Sequence, residues 1–96
     1  MIMELGVLIQ PLQPVPVVVK IGHTDHICQM LSLSDNQLEL KCTDYFEKES
    51  HVSFLGKYFR GQAIIQQITF SKLHFIYLLN IEEIQFQPGL LINTRL

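Results

Sequence analysis

The sequence predicts an all-β domain, a small six-stranded antiparallel β-barrel, and three observations carry that prediction. Apolar and polar residues alternate with a period of two in short runs such as Leu38-Glu39-Leu40-Lys41-Cys42. Turn-forming residues separate these runs roughly every 8–12 residues. No segment holds the three-and-four apolar spacing of a convincing long helix. Closure into a barrel is favoured over an open sheet, because so many apolar strands would otherwise leave an adhesive edge.

The elements follow in order. Residues 1–10 fit either a strand or a short amphipathic helix: Ile2, Leu5 and Ile9 share a helical face, but Gly6 weakens a helix. Pro11, Pro14 and Pro16 lack amide protons, which makes 11–16 an extended connector or an edge segment. The β-branched run 17–21 is a strand, Gly22-His23-Thr24-Asp25 a turn, and 26–34 a second strand. A third strand occupies 38–42, a polar connector holding Tyr45 and Phe46 occupies 43–50, and a fourth strand occupies 51–55. Gly56-Lys57 is a turn signal, followed by a long strand over 58–70. Within it Ile65 and Ile68 share a face only if a bulge lies near Gln66-Gln67. Ser71-Lys72 forms a tight turn into 73–80, which continues through 81–86, with a kink between them. Pro88-Gly89 ends it, and 90–96 reads as a last strand or a cap over the barrel mouth.

Length and composition bound the function. Ninety-six residues make one domain, 1–96, in which 1–16 is an N-terminal extension and proline-rich connector. A chain of this size buries only about 60–65% of its unfolded surface. With 48% hydrophobic residues, some apolar area should stay exposed, which favours a protein contact, self-association included. The net charge is −2 and the seven basic residues are scattered, so a nucleic-acid role is disfavoured. No run reaches the roughly 18–20 apolar residues of a membrane span, and the N-terminus lacks a secretory pattern. A cytoplasmic protein is expected. Cys28 and Cys42 flank a turn at near-mirror positions and so fall on adjacent strands, as reduced buried thiols or, less in keeping with that compartment, as a cross-strand disulfide.

Motifs with a chemical mechanism are few. His23, Asp25 and His26 are zinc-ligand types, but no second cluster completes them, and a polar hairpin turn explains them as well. Glu82 and Glu83 are adjacent and, on a regular strand, point to opposite faces, so they do not form an acid–base pair. No nucleophile elbow, phosphate loop or glycine-rich loop is present, so no catalytic residue, metal or cofactor is assigned. Tyr58, Phe59 and Arg60 form an aromatic–arginine group of the kind enriched in protein contacts. The segment 31–40 has the layout of a phosphate-gripping turn between two strands.

The order of these runs resembles the PilZ domain family over roughly residues 15–86. The family pattern of Asp or Asn, any residue, Ser, two residues and Gly falls on Ser32-Leu33-Ser34-Asp35-Asn36-Gln37. The strand around Val52 and Phe54 follows, and Arg60-Gly61-Gln62-Ala63-Ile64-Ile65 looks like the family's glycine-led strand. Either Tyr77-Leu78-Leu79-Asn80-Ile81 or Ile84-Gln85-Phe86 would be the closing strand.

The resemblance implies a six-stranded barrel and, in the family's best-known form, cyclic di-GMP binding. This chain departs from that form. It has no arginine before Arg60, Lys20 has no fork geometry, Ser32 replaces the acidic or amide residue, and Gln37 replaces the glycine. Losing two bidentate arginines removes several charge-assisted hydrogen bonds worth about 1.5–3 kcal/mol each. The degenerate motif positions are therefore Lys20, Ser32, Ser34, Asp35, Asn36 and Gln37. The resemblance then implies a non-enzymatic adaptor, as in bacterial type IV pilus or motility regulation. A cyclic di-GMP receptor using Lys20, Ser34 and Asn36 is the alternative.

Overall fold

A computed structural model describes residues 8–86 of the chain. Every regular element among them is a strand: β1 (Leu8–Ile9), β2 (Val15–Ile21), β3 (Thr24–Ser34), β4 (Gln37–Cys42), β5 (His51–Leu55), β6 (Phe59–Ser71) and β7 (His74–Phe86). The neighbours run β2-β5-β6-β7-β4-β3, and β3 pairs again with β2, closing a six-stranded antiparallel barrel. The short β1 adds to β3, with Leu8 opposite Ser34 and Ile9 opposite Leu33. Residues 1–7, and the Pro88-Gly89 turn and tail expected at the C-terminus, lie outside the described residues. Among the described residues no helix is long and apolar enough to cross a membrane.

Alternation builds the core. Val17 and Val19 of β2, Leu38, Leu40 and Cys42 of β4, Val52 and Phe54 of β5, and Tyr77 and Leu79 of β7 all point inward and are buried. The bulge expected near Gln66 is present: Ile65 opposes Leu79 and Gln67 opposes Leu78, leaving Gln66 as the extra residue. It returns Ile68 to the inner face, where Ile68 packs against the core. The same device recurs twice. Leu31 is the extra residue between Met30 and Ser32, and Glu82 is extra between Ile81 and Glu83. The expected kink in β7 is this second bulge. It also removes the strict alternation expected at Glu82 and Glu83, and both carboxylates are exposed.

Some strand ends and turns differ from expectation. β2 begins at Val15 and includes Pro16, opposite Gln29; the β2–β5 ladder starts only at Val18, so no β5 partner awaits an amide proton from Pro16. The β2–β3 turn is the two residues Gly22-His23, with Gly22 at φ 63, the pattern of a type II′ hairpin. The β6–β7 turn centres on Lys72-Leu73 rather than Ser71-Lys72, with φ of 50 and 70. That is a type I′ turn made without Asn or Gly. A leucine in the left-handed region is disfavoured by about 1–2 kcal/mol. Leu73→Gly is therefore expected to stabilise the protein by about 1 kcal/mol, read as a higher urea midpoint at unchanged slope. An unchanged or lower midpoint would refute the strain.

The connector 43–50 closes one end of the barrel. Phe46 turns inward and is buried, with its ring stacked on Tyr77 at 4.7 Å and edge-on to His26 at 4.8 Å. The Tyr77 hydroxyl donates to the Asp44 carbonyl (2.8 Å) and accepts from the Phe46 amide (2.7 Å). A single buried phenol thus satisfies two polar groups of the connector's backbone.

Candidate functional site

The β3–β4 turn is occupied by its own hydrogen bonds. The Ser34 hydroxyl accepts from the amides of Asn36 (3.4 Å) and Gln37 (3.1 Å) and sits 3.0 Å from the Asn36 side-chain oxygen. The Asn36 carbonyl accepts from the Ile81 amide (2.9 Å), which ties the turn to β7. The Asn36 and Gln37 amides, which could otherwise face an anion, are bonded within the protein. Ser32 donates to Glu39 (3.2 Å), and that carboxylate places negative charge beside the turn. Asp35 is exposed and adds to it. Gln37 is an ordinary β4 residue and is not among the positive-φ positions, so glycine's freedom is not needed there.

Lys20 is far from this turn. It opposes Asp25 near the β2–β3 hairpin, nine residues along β3 from Ser34. That separation amounts to roughly 30 Å of extended strand. The structure therefore does not bring Lys20, Ser34 and Asn36 together.

What the barrel does assemble is a row across its outer wall. Ile27, Val18, Leu55, Arg60 and Gln85 are successive cross-strand partners on β3, β2, β5, β6 and β7. Their neighbours Cys28, Val17, Val19, Phe54 and Phe59 face inward, so alternation turns this row outward. Ile27 is 75% exposed and Leu55 53%. Parallel to it runs a second row, Asp25, Lys20, Ser53, Gln62 and Glu83. Between them lies a shallow groove of about 470 Å³. Its charged lining, Lys20 and Arg60 against Asp25 and Glu83, is balanced, a poor match for two phosphates and a good match for a mixed protein surface.

The three expected contact residues separate. Arg60 lies in the groove and its Nε donates to Gln85 (3.4 Å). Tyr58 is half-buried beneath the Lys57 ammonium, 5.3 Å from the ring centre. Phe59 belongs to the core, against Phe54 and Phe86, and offers almost no contact area. Sequence reasoning did not single out Ile27 or Leu55. The signal that could have found them is phase: each is apolar yet out of step with the buried residues of its own strand.

The titratable groups singled out in the sequence as possible zinc ligands do not come together among the described residues. His26 Nδ1 lies 2.8 Å from an Asp44 carboxylate oxygen, Asp25 belongs to the groove, and His23 is exposed in the turn, so the three residues do not converge. No cluster of three or more metal-ligand side chains occurs among the described residues. Cys28 and Cys42 are buried free thiols. Burial, reinforced by the neighbouring Cys42 thiol, pushes Cys28 well above its ordinary range, which keeps it protonated and a weak nucleophile. Cys42 Sγ is 3.6 Å from the Ile27 carbonyl and accepts from the Asp44 amide at 3.4 Å. Burial also pushes the Tyr77 phenol up to about 12, partly offset by the Phe46 amide that it accepts from. Comparison with known protein families finds no match, and no curated protein shows a similar sequence.

Proposed function

We propose that this chain is a non-enzymatic protein-interaction module, a PilZ-like barrel acting as an adaptor in bacterial signalling or motility, with a cyclic di-GMP site that has lost its ligands. The observation that carries the reading is the outer row through Leu55. It sets exposed apolar side chains beside Arg60 on a rigid, hydrogen-bonded wall, a composition suited to protein contact. The self-bonded β3–β4 turn and the distance between Lys20 and Ser34 argue against a dinucleotide ligand. The pilus and motility setting rests on the PilZ resemblance alone.

Calorimetry with cyclic di-GMP is expected to show no saturation. Binding tighter than about 10 μM, roughly −7 kcal/mol, would overturn the eroded-site reading in favour of an atypical receptor. For the contact itself, a photoreactive residue replacing Leu55 should give a discrete protein adduct in cells. The same residue replacing Lys41, on the opposite wall, should give none. Equal labelling from both positions would remove the case for this surface.

A further inference from the structure

We infer that the distal part of β6, Gln66–Ser71, is a pairing edge for a second copy of this chain, forming a continuous antiparallel sheet about a two-fold axis at Thr69. Its inner side is taken by β7 along its whole length. Its outer side is covered by β5 only as far as Ile64, and by Glu49 and Ser50 at Ile65. Beyond that, no described strand pairs with this edge.

Hydrogen-bond parity shows which groups point away from β7. The two-residue turn at Lys72-Leu73 makes Ser71 and His74 a hydrogen-bonded pair. Alternation then makes Phe70–Phe75 and Ile68–Tyr77 non-bonded pairs, so the amides and carbonyls of Ile68 and Phe70 face outward. The parity agrees with Ile65, whose amide bonds outward to the Ser50 carbonyl (3.1 Å) and whose carbonyl accepts from the Glu49 amide (2.7 Å). An axis at Thr69 sets Ile68 opposite Phe70 of the second copy, and the reverse. Each such pair exchanges two N–H···O bonds, giving four in all, with the Ile and Phe side chains paired on one face.

The lack of charge along this edge suits a second copy as the occupant. Under a two-fold axis at Thr69, a charge at or next to that residue would meet the like charge of its own counterpart, which destabilises pairing. No residue from Gly61 to Ser71 is charged, and Lys72 falls opposite Gln66. Edge strands ordinarily carry such charges to prevent pairing, and this one has none. Phe70 is 61% exposed and Leu73 82%, which leaves apolar area beside the edge to be covered by the second copy.

Sedimentation equilibrium of the full chain tests this. The wild type should move from 11.1 kDa toward twice that mass as concentration rises. Thr69→Lys places two ammonium groups at the axis and should weaken association at least tenfold, whereas Thr69→Val should not. Thr69 is exposed, so both variants should unfold at the wild-type temperature when dilute. A wild type that stays at 11.1 kDa at several hundred micromolar, or a Thr69→Lys variant that associates as tightly, would overturn the inference. Should Thr69→Lys fail to fold, amide exchange on the wild type decides. Slower exchange at Ile68 and Phe70 with rising concentration supports pairing, and unchanged exchange refutes it. The outcome is independent of the Leu55 contact, which lies on another part of the barrel.

Discussion

Gly61→Ala is expected to destabilise the protein by about 3 kcal/mol or more, the range of severe overpacking. A methyl group there would collide with the Glu83 carbonyl oxygen and lie 2.8 Å from the tip of the Phe54 ring. Neither obstacle yields easily. The carbonyl is backbone of the β6–β7 ladder beside the Glu82 bulge, and Phe54 is buried. Against a total stability of about 5–15 kcal/mol, the loss should move the urea midpoint by a large fraction of its value. Gly22→Ala is the control. It meets open space, but its φ of +63 gives a smaller cost, about 1 kcal/mol. A Gly61→Ala midpoint within error of wild type would mean that β6 and β7 do not approach as closely as described.

Tyr77→Phe is expected to cost about 2–3 kcal/mol, although it removes a single oxygen. The ring remains, so the stack on Phe46 is retained and the loss isolates the hydroxyl. Without it the amide of buried Phe46 and the Asp44 carbonyl lose their partner, and an unsatisfied buried group costs about 1–3 kcal/mol. Alkaline pH sharpens the test. Tyr77 titrates near 10.0 when unfolded and near 12 when folded. Between those values the unfolded state releases a proton that the folded state keeps, so wild-type stability falls as pH rises through that window. Cys28, also raised, acts in the same direction in both proteins. The variant lacks the Tyr77 component, so the gap between the two denaturation midpoints should narrow above pH 10. A gap that widens there would show that the hydroxyl is not held as described.

The two effects were unequally legible in the chain. Arg60-Gly61 reads as the start of a strand, but nothing local says that Gly61 faces the opposing carbonyl, because that carbonyl belongs to Glu83, 22 residues away. Tyr77 reads as one inward residue of a strand. That its oxygen anchors Asp44 and Phe46 depends on how the connector folds over the barrel end. The candidate surface divides the same way. The alternation of single strands turns Ile27 and Leu55 outward, but only cross-strand register aligns them with Val18, Arg60 and Gln85. Register is set between strands, and one sequence position carries no record of its partner.

The amino-acid sequence alone determined that this chain is an all-β barrel, where most strands lie, and which residues of a regular strand share one face, because a period of two separates the two faces. It also marked the Gln66 bulge, since Ile65 and Ile68 are three apart and both apolar. Met30 with Leu33 and Ile81 with Ile84 have the same spacing at the other two bulges, which were not read from it. Tertiary structure decided the rest: the order and register of the strands around the ring, the inward turn of Phe46, the outer groove, and the edge of distal β6 that no described strand covers. The reason is one of range. Side-chain phase is a local property of the backbone, whereas strand order, register and the length at which one neighbour stops covering another arise only when distant segments meet.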